Sequence, residues 1–267
     1  MQAPVVVKLG GSAITDKSKT STPRLEVIHN AINEIASYRG QLVLLHGGGS
    51  FAHSFVSKAA LRNGFKQKSQ LASVSEIELN LDQLTRIIGV GLLLRHRPFV
   101  PLAPMSFITL RRGLVSKSFL DPITAALRLG LIPLIHGDLA FDELRGCGIV
   151  SADRIASLLG EKIGVSKVLF GCDVDGLHDG NPKMSPKADL IVEVDRSNYS
   201  KVLEGLKPTN GDVTGGMRGK ALEALRLAKH GHESYVFNLT KSGNLLSLLR
   251  GSSSIGTRFV AWRKTGQ

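Results

Sequence analysis

The chain has 267 residues, 42% of them hydrophobic and 29 of them glycine, which is enough for a substantial buried core and many tight turns. Its formal charge is +12, but the lysines and arginines are scattered and only 5% of residues are aromatic. That leaves no basic stripe with stacking side chains for nucleic acid, and anionic small molecules fit the charge better. Two cysteines, Cys147 and Cys172, form no CxxC or Cys/His pattern, so neither a zinc site nor a disulfide framework is expected and a reducing cytosol is the simplest compartment. No leader-like or membrane-spanning apolar run is present.

Pro4–Lys17, PVVVKLGGSAITDK, reads as a strand over Val5–Leu9 that runs into a glycine turn, with Lys8 at the strand end and Lys17 just past the turn. Two cations flanking a glycine turn favour a phosphate ligand. Ser18–Pro23 is a polar loop, and apolar residues Val27, Ile28, Ala31, Ile32 and Ile35 predict a helix over Leu25–Tyr38. Leu42–Ser57, LVLLHGGGSFAHSFVS, repeats the logic of the first turn. Four uninterrupted apolar residues predict a strand covered on both faces. Gly47, Gly48 and Gly49 then open the backbone to a ligand, and Ser50 is placed to cap a helix running through Phe51 and His53. Strand, glycine turn and helix N-terminus together make an anion site, the plain alternative being a tight connection.

Lys58–Gln70 is a basic loop or broken helix. Ser75–Leu94 is a long amphipathic helix with Ile77, Leu81, Leu84, Ile87, Ile88 and Leu92 on one stripe; most of the stripe is core, and its first half is able to wall an apolar pocket. Pro98–Met105 is extended, Asp121–Leu129 a short helix, and Leu131–Asp138 a buried strand. Cys147–Leu159 places Ser151 and Asp153 at a helix start, where the acid either caps the helix or holds lysines in place. Lys167–Phe170 is a further strand, followed by the turn-rich Gly171–Lys183 at its carboxyl end, where ligands of open α/β sheets gather. Ile191–Val194 is a short strand. Asp212–Lys220, DVTGGMRGK, opens a helix to His230 with Gly215 and Gly216 at its start, and Tyr235–Asn238 and Gly256–Val260 are two last short strands with a polar loop between them.

Three glycine turns with Lys8, Lys17 and Lys220 imply a ligand carrying several phosphates, which is what phosphoryl transfer requires. There is no GxxxxGK[ST] and no HRD or DFG set. The ordered motifs KLGGSAITDK, HGGGSFAH, GIVSADRIA, CDVDGL and DVTGGMRGK resemble the amino acid kinase superfamily and span Lys8 to Lys220. Within it, the TDK and the histidine after GGGSF resemble the isopentenyl phosphate kinases, and fosfomycin kinases share the histidine.

The resemblance implies a three-layer α/β/α sandwich around a mainly parallel sheet. It also implies one domain with an acceptor lobe (1–160) and a nucleotide lobe (161–267), and a homodimer. ATP with Mg would phosphorylate isopentenyl phosphate, with no dedicated protein metal site. Lys8, Gly10, Gly11 and Ser12 would hold the β and γ phosphates, and Lys17 would stabilise the moving phosphoryl group. Gly48 and Gly49 would give N–H groups to the acceptor phosphate and to ATP, and His53 would bind the acceptor phosphate, near Ala152. Asp153 would organise the lysines, while Asp173 or Asp175, Gly215, Gly216 and Lys220 would bind nucleotide. The apolar tail would lie on Ile77, Leu79, Leu81 and Leu84.

Three positions in two motifs depart from the family pattern. Ala52 and Ser54 stand where GGGSFGHP has glycine and proline, so Ala52 would be strained if its φ were positive. Ala152 stands where relatives often have glycine. Rival readings are a kinase of another phosphate or phosphonate such as fosfomycin, a nucleotide-binding protein of this fold without turnover, and a nucleic-acid-binding protein.

Overall fold

The structure, a computed structural model, describes residues 3–61, 64–180, 182, 188–206 and 215–262, with the backbone alone at 53, 54, 58 and 138. In chain order come β1 (Val5–Leu9), α1 (Gly11–Ile14), α2 (Leu25–Ala36), β2 (Leu42–His46), α3 (His53–Lys58), α4 (Leu71–Leu93), β3 (Phe99–Leu102), β4 (Ile108–Arg111) and β5 (Leu114–Ser118). Then follow α5 (Asp121–Arg128), β6 (Ile132–His136), β7 (Asp138–Asp142), β8 (Gly146–Val150), α6 (Ala152–Ile163), β9 (Lys167–Cys172), β10 (Leu177–His178), β11 (Leu190–Ile191) and β12 (Glu193–Val194). The last elements are α7 (Tyr199–Gly205), α8 (Gly216–Lys229), β13 (Ser234–Asn238), α9 (Asn244–Leu249) and β14 (Thr257–Phe259).

Among the described residues, eight strands form one sheet in the order β12-β14-β13-β9-β1-β2-β6-β3. Every pairing in it is parallel except β13 with β14. β1 is central, with Lys8 opposite Leu45 of β2 and Phe170 of β9. Alternation along the strand then decides what each residue meets. Val5, Val7 and Leu9 pack with Ile28, Ile32 and Ile35 of α2, Leu84 and Ile88 of α4, and Leu245 and Leu248 of α9. Val6, Val43, Leu45, Val168 and Phe170 pack on the other face with Ile155 and Leu159 of α6 and Ala221, Ala224 and Leu225 of α8. The result is the three-layer α/β/α arrangement expected from the sequence.

The long strands and helices fall where their apolar patterns put them, α2 ending two residues early and α4 beginning four residues early. Three features lie outside those patterns. A second sheet, ordered β5-β4-β7-β8, is built from short strands of mixed polarity, α7 occupies a stretch for which no element was expected, and α9 one that reads as a polar loop. Turns of that sheet converge on the buried Asp142, whose carboxylate accepts the N–H groups of Arg112, Gly113, Leu144 and Arg145.

α9 depends on a residue far away in sequence. The carboxylate of Glu34 in α2, 8% exposed, accepts the N–H groups of Gly243 at 2.8 Å and Leu246 at 2.7 Å, supplying the N-terminal cap that α9's own residues do not. Glu34→Ala leaves both donors unpaired, and urea unfolding is expected to show a loss of about 1–3 kcal/mol.

Candidate active site

The turn after β1 and the turn after β2 lie backbone against backbone. A Cβ on Gly11 would come within 2.5 Å of the Gly49 nitrogen. Gly49 has φ of +52°, and a side chain there would meet the Thr15 hydroxyl at 2.1 Å. Both positions therefore require glycine. Thr15, fully buried, ties the turns together: its hydroxyl donates to the Gly11 carbonyl at 2.7 Å and accepts the Ser50 N–H at 3.0 Å. The Gly47 N–H donates to the Leu9 carbonyl at 2.9 Å.

Ser50 does not cap a helix. It lies inside a single 3-10 turn, Gly49–Phe51, and its hydroxyl accepts the Thr22 N–H at 3.1 Å, pinning the loop 18–23 instead. Nor does one helix run from Phe51 through His53, because the chain bends at Ala52 before α3 begins at His53. Ala52 has φ of −127°, so the strain expected of a left-handed residue does not arise. Its methyl is buried with Val56, Ile77 and Leu81.

On the opposite face of the sheet from α2 and α4, strand alternation points Lys8 at α6 and α8. Ser151 caps α6 by accepting the Arg154 N–H at 3.1 Å, which sets Asp153 in the first turn. Lys8 Nζ lies 3.0 Å from Asp153 Oδ1. Lys220 Nζ, from α8, lies 3.0 Å from Oδ1 and 3.1 Å from Oδ2 of the same carboxylate. All three side chains are at least nine-tenths buried. A network of Arg154, Glu161, Glu223 and Arg226 clamps α6 to α8 behind them.

Burial acts to raise the Asp153 carboxyl, yet the ammonium groups of Lys220 and Lys8 outweigh it and hold it down at about 2. Its contribution to folding is complete at neutral pH and is lost as pH falls from the ordinary 3.8 through about 2. Burial disfavours both charged lysines. Lys220, bound to both carboxylate oxygens, is nonetheless held above the usual lysine range, whereas burial lowers Lys8, bound to one, to about 8. The capping alternative for Asp153 therefore gives way to the lysine-organising one.

Around this centre, the Ser12 hydroxyl donates to Asp173 Oδ1 at 2.8 Å, joining the β1 turn to the end of β9. Asp175 faces elsewhere, pairing with Lys241 at 2.7 Å and accepting from Asn238 at 3.0 Å. Gly215 and Gly216 begin α8 with φ of +85° and +58°; Asp212 lies outside the described residues. Lys17 is exposed on the loop and is not part of the buried lysine cluster. Ala152 is buried where the turn after β6 abuts α6, a Cβ on Gly137 falling 2.0 Å from its nitrogen. Ile77 and Leu81 join an apolar cluster with Ala52, Val56, Leu61, Leu139 and Cys147. Leu84 belongs instead to the core against α2, and Leu79 is 71% exposed, so neither lines that cluster. The His53 side chain lies outside the described residues.

Two ammonium groups and one carboxylate leave a buried surplus of positive charge beside two turns that bring backbone N–H groups together. Such a site neutralises a polyphosphate without supplying a nucleophile or base. The amino acid kinase family model matches residues 3–238, which include every residue of this cluster. The chain belongs to the amino acid kinase family. Among members of that family, the isopentenyl phosphate kinase of Methanothermobacter thermautotrophicus is 30% identical, over 96% of this chain and 98% of its own. That of Methanocaldococcus jannaschii is also 30% identical, over 92% and 95%. A crystal structure described as isopentenyl phosphate kinase superposes with a TM-score of 0.83 at 27% identity, covering 96% of this chain and all of that one.

As an amino acid kinase the chain takes ATP, and the low value of Lys8 gives that binding a pH signature. Polyphosphate beside Lys8 raises its pKa, so ATP binding just above pH of about 8 is expected to take up protons, and affinity to fall as pH climbs further. Calorimetry in buffers of different ionisation enthalpy measures the uptake; absence of any buffer dependence contradicts the assignment.

Proposed function

We propose that the chain transfers the γ-phosphoryl group of ATP to isopentenyl phosphate, giving isopentenyl diphosphate and ADP. The observation that carries this reading is the buried Lys8–Asp153–Lys220 cluster at the carboxyl edge of the sheet, in a chain whose near full-length relatives bear that name. An acceptor phosphate oxygen attacks the γ-phosphorus while the bond to the β–γ bridging oxygen breaks, and its electron pair leaves with ADP. The attacking oxygen is already ionised, so no general base is needed.

In this reading Lys8 and Lys220, with Gly10, Gly11 and Ser12, hold the β and γ phosphates, and Asp153 keeps the two lysines aimed. Lys17, free on its loop, reaches the moving phosphoryl group. Gly48 and Gly49 give N–H groups to the acceptor phosphate, and His53 donates a hydrogen bond to it and offsets its charge. Asp173, Asp175, Gly215 and Gly216 contribute to the nucleotide side (161–267), and 1–160 forms the acceptor side with the tail on Ile77 and Leu81. Among the described residues no group of three or more His, Cys, Asp and Glu is arranged to hold a metal. Mg fits as an ion held chiefly by ATP oxygens, with Asp173, which accepts from Ser12 of the β1 turn, a carboxylate beside it, where the ion would neutralise charge on the β and γ phosphates.

We further propose a homodimer in the cytosol. Exposed Leu79, Val90, Leu93 and Leu94 along α4 supply apolar area for the dimer, and light scattering tests it.

Steady-state comparison of isopentenyl phosphate, dimethylallyl phosphate and fosfomycin is expected to favour the first. A large preference for fosfomycin overturns the acceptor. His53→Ala is expected to lower kcat by at least about 100-fold while ATP still binds, and unchanged turnover removes His53 from the mechanism.

A further inference from the structure

His46, the last residue of β2, shares the face of Leu42 and Leu44 and so lies on the α4 side, away from Lys8. It is fully buried, and its Nε2 is 2.8 Å from the Thr85 hydroxyl. That hydroxyl also donates to the Leu81 carbonyl, 2.9 Å away and one helical turn earlier. A hydroxyl has one proton. With it given to Leu81, Thr85 accepts from His46, and on that pattern the imidazole is assigned the neutral Nε2–H tautomer. Burial lowers His46 to about 3, so it stays neutral at working pH. Its Nδ1 lies 3.5 Å from the Gly47 carbonyl, a much longer contact, so the ring's short hydrogen bond is the one to α4.

α4 touches the glycine turn a second time through the same residue. A Cβ on Gly48 would fall 3.1 Å from Leu81 Cδ2, so the Leu81 side chain packs directly over the turn. Leu81 therefore holds Gly48 with its side chain and His46, the residue before the turn, through its carbonyl and Thr85. It is also fully buried in the apolar cluster with Ile77, Ala52 and Val56.

We infer that His46 and Thr85 are positioning residues that lock the glycine turn after β2 to α4, so that an apolar tail seated on Ile77 and Leu81 sets where the Gly48 and Gly49 N–H groups stand. The tail contact then appears as rate as well as affinity, because a misplaced turn loses alignment in the transition state. This rests on the acceptor reading above for its kinetic consequence, but not for the lock itself.

Thr85→Val keeps the shape and removes the hydroxyl, while Thr85→Ser keeps the hydroxyl. Thr85→Val is expected to lower kcat for isopentenyl phosphate about tenfold with KM for ATP unchanged, and to leave kcat for tailless methyl phosphate within about twofold; Thr85→Ser restores the wild-type ratio. In the ligand-free protein, hydrogen exchange over residues 47–51 is expected to accelerate in Thr85→Val and not in Thr85→Ser, and nitrogen-15 NMR to show His46 protonated at Nε2. An Nδ1-protonated His46, unchanged exchange at 47–51, or an equal loss on both acceptors overturns the proposal. If the wild type phosphorylates neither acceptor, the acceptor reading and the tail coupling fall together, and the tautomer and exchange results alone uphold or overturn the lock.

Discussion

One carboxylate holding two ammonium groups in the protein interior is the constraint on which the rest depends. Burying a single charge costs several kcal/mol unless partners offset it, and two lysines alone at that spacing would repel each other. Asp153 offsets both while leaving a net positive centre, ready for an anion that brings more charge than one side chain can match. Breaking a buried pair by removing one partner is far more damaging than never having built it. The clamp of Arg154, Glu161, Glu223 and Arg226 that holds α6 against α8 therefore serves the charged centre as well as the fold.

That centre is fixed by strand register. Lys8 is one residue from Leu9, which faces α2, and a slip of a single position would turn the lysine into the opposite apolar layer. The pairing is well specified because both faces of β1 are buried, so every alternative register exposes leucine and valine to the wrong neighbours. On the α4 side the same strand ends deliver His46 to Thr85, so the two faces of one sheet present charge to one part of the site and fixed hydrogen bonds to another.

Much of this was legible in the chain itself. Val5–Leu9 and Leu42–His46 announce themselves as largely apolar runs leading into glycines, and Lys8, Asp153 and Lys220 sit in motifs that resemble those of the amino acid kinases. Less legible were features whose cause lies far off in sequence. β4, β5, β7 and β8 carry no continuous apolar run, and their turns are held by Asp142, which reads locally as one more loop acid. α9 reads as a polar loop because its cap comes from Glu34. Ser50 was misleading for the opposite reason: a serine after glycines is a good local cap signal, but the hydroxyl is taken up by Thr22. Leu79 and Leu84 were both expected against the apolar tail, and only packing tells that one faces solvent and the other the α2 core.

Because β1 lies between β2 and β9, and Lys8 meets its second cationic neighbour only through α8, the centre is assembled from the beginning and the final third of the polypeptide. A ribosome-bound chain that has emerged only as far as α6 would carry Lys8 and Asp153 on a sheet with one open side. Such an intermediate exposes the unpaired edge of β1 until β9 docks, and it gains the second lysine of the centre only once α8 closes over it. Until β9 pairs with it, that open strand edge is a liability for pairing with other chains, so the order in which the sheet closes bears on aggregation as well as on the charged centre.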